Sequence, residues 1–138
     1  MSCGLLIITH NQIGDALLET ATNMLGFCPL LAHTLAVTPE CNPDQLREQA
    51  QFYARELNQG DGVLVLTDMF GSTPSNIATA LGKEGEVSVV SGINLPMLVR
   101  VMNYPHLSLD RLTSKALSGG RDGILDCQER AKPLIAHS

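Results

Sequence analysis

Short aliphatic runs alternate along this chain with stretches in which apolar residues recur every three or four positions, a pattern that predicts an α/β fold with a mainly parallel sheet between helical layers. The run Leu5, Leu6, Ile7, Ile8 predicts a strand over residues 4–9 that is covered on both faces. A helix follows over residues 11–25, with Ile13, Leu17, Ala21 and Met24 or Leu25 on its apolar stripe and Gly26 as its left-handed stop. A second strand, residues 33–37, leads to Asn42-Pro43-Asp44-Gln45, which reads as an N-cap, a first-turn proline and an N3 glutamine. Leu46, Ala50, Tyr53 and Leu57 give that helix its inner face.

Residues 62–67 predict a central strand, since their apolar run is unbroken. The loop 68–73 then enters a helix over residues 74–81, with Thr73 as its cap and Pro74 as its first residue. A fourth strand is expected over residues 87–91. Asn94 caps an apolar helix over residues 95–104, and a further helix over residues 108–117 ends at Gly119-Gly120. Residues 123–127 are short and apolar enough for an edge strand, and the polar residues 129–138 read as a loose tail.

Composition narrows the function classes. At 138 residues the chain has the size of one domain, taken as residues 1–128 followed by the tail. No apolar run approaches the roughly 18 to 20 residues of a membrane span, and the N-terminus lacks the basic region of an export signal, so a cytoplasmic location without membrane insertion is the expectation. The four cysteines, Cys3, Cys28, Cys41 and Cys127, include no C-x-x-C pair, which indicates neither a zinc cage nor a redox pair. No metal or cofactor is expected. A formal charge of −5 with scattered Lys and Arg argues against a nucleic-acid surface.

In an open parallel sheet, ligands bind beyond the carboxyl ends of the strands, where the strand order reverses. With the order 2-1-3-4, His10 and Asp68 each lie just past the end of one central strand and face one crevice. An aspartate accepting the Nδ1 proton of His10 would leave Nε2 free as a nucleophile. Two readings are open for His10 on this ground alone, a nucleophile or a loop histidine with an incidental neighbour, and Asp68 is either its partner or a turn residue. The segment "DMFGSTPSN" adds a helix start, whose unpaired N–H groups suit a phosphoryl group as well as an ordinary Thr73 or Ser72 cap.

Other motifs are missing. The chain has no G-x-x-x-x-G-K-[ST], no G-x-G-x-x-G and no G-x-S-x-G. Thr9-His10-Asn11-Gln12 lacks the acidic pair of a phosphate-accepting aspartate site, and Thr9 stands where histidine phosphatases carry an arginine.

Taken in order, "GLLIITHNQIGDALLETATNMLG", "LTDMFGSTPSNIA", "VVSGINLPMLVRVMN" and "SGGRDGI" resemble the IIA domain of the mannose/fructose/sorbose branch of the bacterial phosphoenolpyruvate-dependent sugar phosphotransferase system. The resemblance spans residues 4–127. It implies a phosphoryl carrier in which His10 accepts phosphate at Nε2 from the histidine-containing phosphocarrier protein and passes it to a separate IIB component. By the same resemblance Asp68 orients His10, while Gly71, Ser72 and Thr73 hold the phosphoryl oxygens. A three-layer fold is implied, in which a fifth, antiparallel C-terminal edge strand pairs two copies as a homodimer. Ser72 stands where the family commonly has a second glycine, and if that position requires positive φ the serine carries strain. Met69, Phe70 and Met97 are candidate docking contacts. Other readings are a phosphorylation-dependent regulatory module, the phosphoryl donor subunit of a dihydroxyacetone kinase, and a phosphohydrolase whose intermediate on His10 is attacked by water.

Overall fold

The computed structural model describes residues 2–83 and 85–131. Its elements in chain order are β1 (Gly4–His10), α1 (Ile13–Leu25), β2 (Ala32–Val37), α2 (Pro43–Leu57), β3 (Val63–Thr67), α3 (Thr73–Leu81), β4 (Val87–Val90), α4 (Leu95–Met102), α5 (Leu109–Asp122) and α6 (Cys127–Ala131). The four strands are all parallel and lie in the order β2-β1-β3-β4, as the sequence predicts.

Side chains on a strand alternate between its two faces, and here both faces are covered. Leu5 and Ile7 of β1, with Leu64 and Leu66 of β3, pack under α1, α4 and α5. Leu6 and Ile8, with Val63 and Val65, pack under α2 and α3. All eight are fully buried, and each contributes roughly 1.5–3 kcal/mol by leaving water. Carried two residues further, the same alternation places His10 on the α2/α3 side of the sheet. At β2 and α2 the predicted features hold with small shifts: Asn42 caps α2 by accepting from the Asp44 N–H at 2.8 Å, while Ala54 takes the buried place expected of Tyr53. Among the described residues, no helix is long and apolar enough to cross a membrane.

Four expectations are corrected. In α1, Ala21 is buried and Leu17 and Leu25 pack against the core as expected, but Gly14 takes the inner place expected of Ile13, which is exposed, as is Met24. The cause is local: the Thr9 hydroxyl accepts the Gly14 N–H at 2.8 Å, which draws Gly14 rather than Ile13 against the sheet. Second, α3 starts at Thr73, so Ser72 is its N-cap and Pro74 its second residue.

Third, α5 does not stop at Gly119-Gly120. Both glycines lie against α4, where a Cβ on Gly119 would stand 2.7 Å from Arg100 Cβ and one on Gly120 would stand 2.8 Å from Met97 Cε. They are there for close helix contact, and the helix runs through them.

Fourth, the predicted edge strand over residues 123–127 is not formed among the described residues. Gly123 caps α5, the Ile124 N–H reaches back to the Arg121 carbonyl at 3.2 Å, and residues 124–126 have no strand neighbour. Asp126 then accepts from the N–H groups of Gln128 and Glu129, a helix start that opens α6 where the strand was expected to end. Residues 129–131 of the expected tail belong to α6, and residues 132–138 lie outside the described residues.

Candidate functional site

Parallel pairing of β1 with β3 sets Ile8 opposite Thr67, so the two strands finish side by side and His10 and Asp68 emerge at the same edge of the sheet. One carboxylate oxygen of Asp68, Oδ2, accepts both the backbone N–H of His10 at 3.0 Å and its ring Nδ1–H at 2.8 Å. The other, Oδ1, accepts the N–H of Met69 at 3.1 Å. An ionised carboxylate only accepts hydrogen bonds, so Nδ1 carries the ring proton and Nε2 of the neutral imidazole is left bare. The His10 side chain is 40% exposed and that of Asp68 13%, an arrangement in which the partner is sheltered and the ring it orients is open to solvent.

Partial burial pushes the Asp68 carboxyl upward, but the hydrogen bonds from the His10 ring and backbone, with its own backbone contact, outweigh it and hold the group below its ordinary value. Asp68 is therefore a carboxylate throughout the neutral range.

His10 and Thr73 line one cleft of about 300 Å³ together with Asn11, Val37, Thr38, Pro39, Cys41, Pro43 and Leu46. Its far wall is the β2–α2 loop, which was not among the expected site elements. In that loop the Thr38 hydroxyl lies 3.1 Å from the Cys41 sulfur, and hydrogen bonding to Thr38 holds the Cys41 thiol below its ordinary range. The opposite wall is the start of α3. Ser72 does not cap α3 with its side chain; its hydroxyl donates instead to the Met69 carbonyl at 2.6 Å. The first turn of α3 is thus left without a side-chain cap on the side that borders the cleft.

The concern over strain at Ser72 is resolved by the backbone. Gly71 carries the left-handed turn at φ +83°, whereas Ser72 is extended at φ −90°. A β-carbon costs nothing at Ser72 and would be strained at Gly71. Ser75 was missed as a support: buried, its hydroxyl accepts the Gly71 N–H at 3.2 Å and braces the turn. Asn11 was missed as well. Of the docking candidates, Phe70 and Met69 are exposed on the loop after Asp68, while Met97 is buried against α5. Among the described residues there is no cluster of three or more His, Cys, Asp or Glu placed to hold a metal.

The lowered Asp68 pKa fixes the sign of a pH effect. A carboxyl depressed in the folded state adds stability that is fully present above its unfolded value and lost as pH falls through the folded one. Against the ordinary value of 3.8, the contribution of Asp68 is complete at neutral pH and disappears only below that value. Asp68→Asn is expected to lower the urea midpoint at pH 7 and to converge on the wild type as pH falls below the ordinary carboxylate value and through the depressed folded one. A difference between the two proteins that widens on acidification would contradict this.

Comparison with known proteins shows the family to which the chain belongs. A family model described as "PTS system fructose IIA component" matches residues 4–116. The mannose-specific EIIAB component of the Escherichia coli K12 phosphotransferase system (PTS) is 31% identical over 137 residues, covering 97% of this chain and 42% of that protein. The chain thus spans about two fifths of the length of that relative. The sorbose-specific EIIA component of Lacticaseibacillus casei is 29% identical, with 80% of each chain covered. Among solved structures, a phosphotransferase system component EIIA from Streptococcus agalactiae superposes with a TM-score of 0.80 at 26% identity, covering 92% of this chain and 98% of that one. The family match covers both central strands, the His10–Asp68 pair and the start of α3, and the protein accordingly belongs to the mannose/fructose-type IIA component family of the phosphotransferase system.

Proposed function

We propose that this protein is a phosphoryl carrier in which His10 Nε2 accepts a phosphoryl group from the phosphohistidine of the small phosphocarrier protein and delivers it to a IIB component. The observation that carries the reading is the 2.8 Å contact from His10 Nδ1 to Asp68 Oδ2, which dedicates Nε2 to chemistry. In the accepting step the Nε2 lone pair bonds to phosphorus while the donor's N–P bond breaks, and the donor imidazole leaves with that bond's electron pair. The His10 ring gains positive character, and the Asp68 carboxylate beside Nδ1 stabilises it. Delivery to IIB is the same step with His10 as the leaving group.

The phosphoryl oxygens are received by the loop that Gly71 turns, with the hydroxyl and N–H of Thr73 as donors; the Ser72 N–H faces the Met69 carbonyl at 3.3 Å and the Gly71 N–H the Ser75 hydroxyl at 3.2 Å, which hold the loop in shape. Each such hydrogen bond to a charged group contributes roughly 1.5–3 kcal/mol, against about 0.3–1 kcal/mol from the helix dipole. Directed donors therefore dominate, and an arginine is not required. Phe70, 84% exposed beside the site, and Met69 are the apolar contacts offered to donor and acceptor proteins in turn.

Incubation with phosphoenolpyruvate, Enzyme I and the phosphocarrier protein, followed by intact-mass spectrometry, tests the reading. The wild type is expected to gain one acid-labile phosphoryl group and His10→Ala none. Asp68→Ala is expected to be phosphorylated about 10- to 100-fold more slowly, as loss of a charge-assisted orienting bond implies. Full labelling of His10→Ala would sink the proposal.

The carrier reading includes pairing of two copies. It is supported by the outer edge of β4, which has no strand partner among the described residues, and by a cleft beside it that Val89, Val90, Leu117 and Ile124 line, with Ile124 and Leu125 both well exposed. Sedimentation equilibrium is expected to give twice the chain mass for the wild type and a single-chain mass for Ile124→Asp. A wild type that stays monomeric at high concentration would rule pairing out.

A further inference from the structure

The backbone immediately after His10 is unusual. Asn11 has φ +48°, and among the described residues it is the sole residue other than glycine with positive φ. Its backbone N–H is tied to the Val37 carbonyl at 2.9 Å, which anchors this turn to the end of β2. Glycine is the least costly occupant of such a position. Asparagine tolerates it best among the other residues because its short side chain can hydrogen-bond locally. Here the side-chain amide makes no such bond and has no partner among the described residues. It is exposed and lines the cleft that also contains His10 and Thr73.

A non-glycine residue held in the left-handed region, with an unused polar side chain beside the nucleophile, is one whose side chain has work at the site. We propose that the Asn11 side-chain amide is a phosphoryl-holding group, donating from Nδ2 to an oxygen of the phosphoryl group on His10, on the side of the cleft opposite Thr73. The inference rests on the carrier reading and extends it. Thr73 and the α3 start approach the phosphoryl group from one flank, and Asn11 closes the other, where the β2–α2 loop offers mainly apolar side chains. Consecutive residues stand about 3.8 Å apart at Cα, so an amide on the residue after the nucleophile is within reach of what the nucleophile carries.

Two substitutions separate this role from a purely conformational one. Asn11→Gly keeps the left-handed turn and removes the amide. Asn11→Asp keeps size and tolerance of the turn but turns the donor into a carboxylate that repels phosphate. Both proteins are expected to unfold at or above the wild-type midpoint, or close to it for the aspartate. The rate of His10 phosphorylation is expected to fall about tenfold in Asn11→Gly and further in Asn11→Asp, with a matching loss of inorganic-phosphate affinity followed by NMR titration of the unphosphorylated proteins. Asn11→Gly phosphorylated at the wild-type rate, or binding inorganic phosphate as the wild type does, overturns the inference. Failure of the carrier reading itself shows differently, as a wild-type chain that takes no phosphoryl group from the donor, and the phosphate titration still decides the role of Asn11.

Discussion

Asp68 Oδ2 is the atom on which the site depends. It accepts two hydrogen bonds from one residue on a neighbouring strand, one from the His10 main chain and one from its ring. The first fastens the end of β1 to the end of β3, and the second fixes which way the imidazole faces. Both require the parallel register that sets Ile8 opposite Thr67, and that register is imposed by the alternation of Leu5 to Ile8 between two buried layers. A slip of one residue would turn every one of these side chains to the wrong layer and carry His10 with them. Core packing and site geometry are thus one constraint.

That coupling explains why so much was legible in the sequence. The strands β1 and β3 announce themselves as unbroken aliphatic runs, and the strand-order rule for parallel sheets puts the residues that follow them at one crevice. On those grounds His10 and Asp68 fall at one crevice, and the hydrogen bonds between them make them a pair. The start of α3 was legible through Pro74, within one residue.

What escaped was set by contacts between distant residues. Gly119 and Gly120 look like a helix stop, and only the closeness of α4 shows that they are there to let two helices touch. The C-terminal apolar residues look like an edge strand, yet Asp126 supplies a helix cap that competes locally. The far wall of the cleft comes from the β2–α2 loop, brought near His10 by β2 pairing with β1, and no pattern within Thr38 to Cys41 announces it. Serine at position 72 looked like a defect because the positive φ could have fallen on either loop residue; it falls on Gly71. Asn11 carried a faint signal, since asparagine tolerates a left-handed turn, but a single asparagine after a strand is too common to single out.

Asp68 holds the His10 ring in the form protonated at Nδ1 and unprotonated at Nε2. Long-range ¹H–¹⁵N correlation NMR of the histidine side chains, recorded in mildly alkaline buffer, reads this directly. The bare, pyridine-like ¹⁵N shift of His10 is expected to belong to Nε2 and the protonated, pyrrole-like shift to Nδ1, with the preference lost in Asp68→Ala. A protonated Nε2 in the wild type would contradict it.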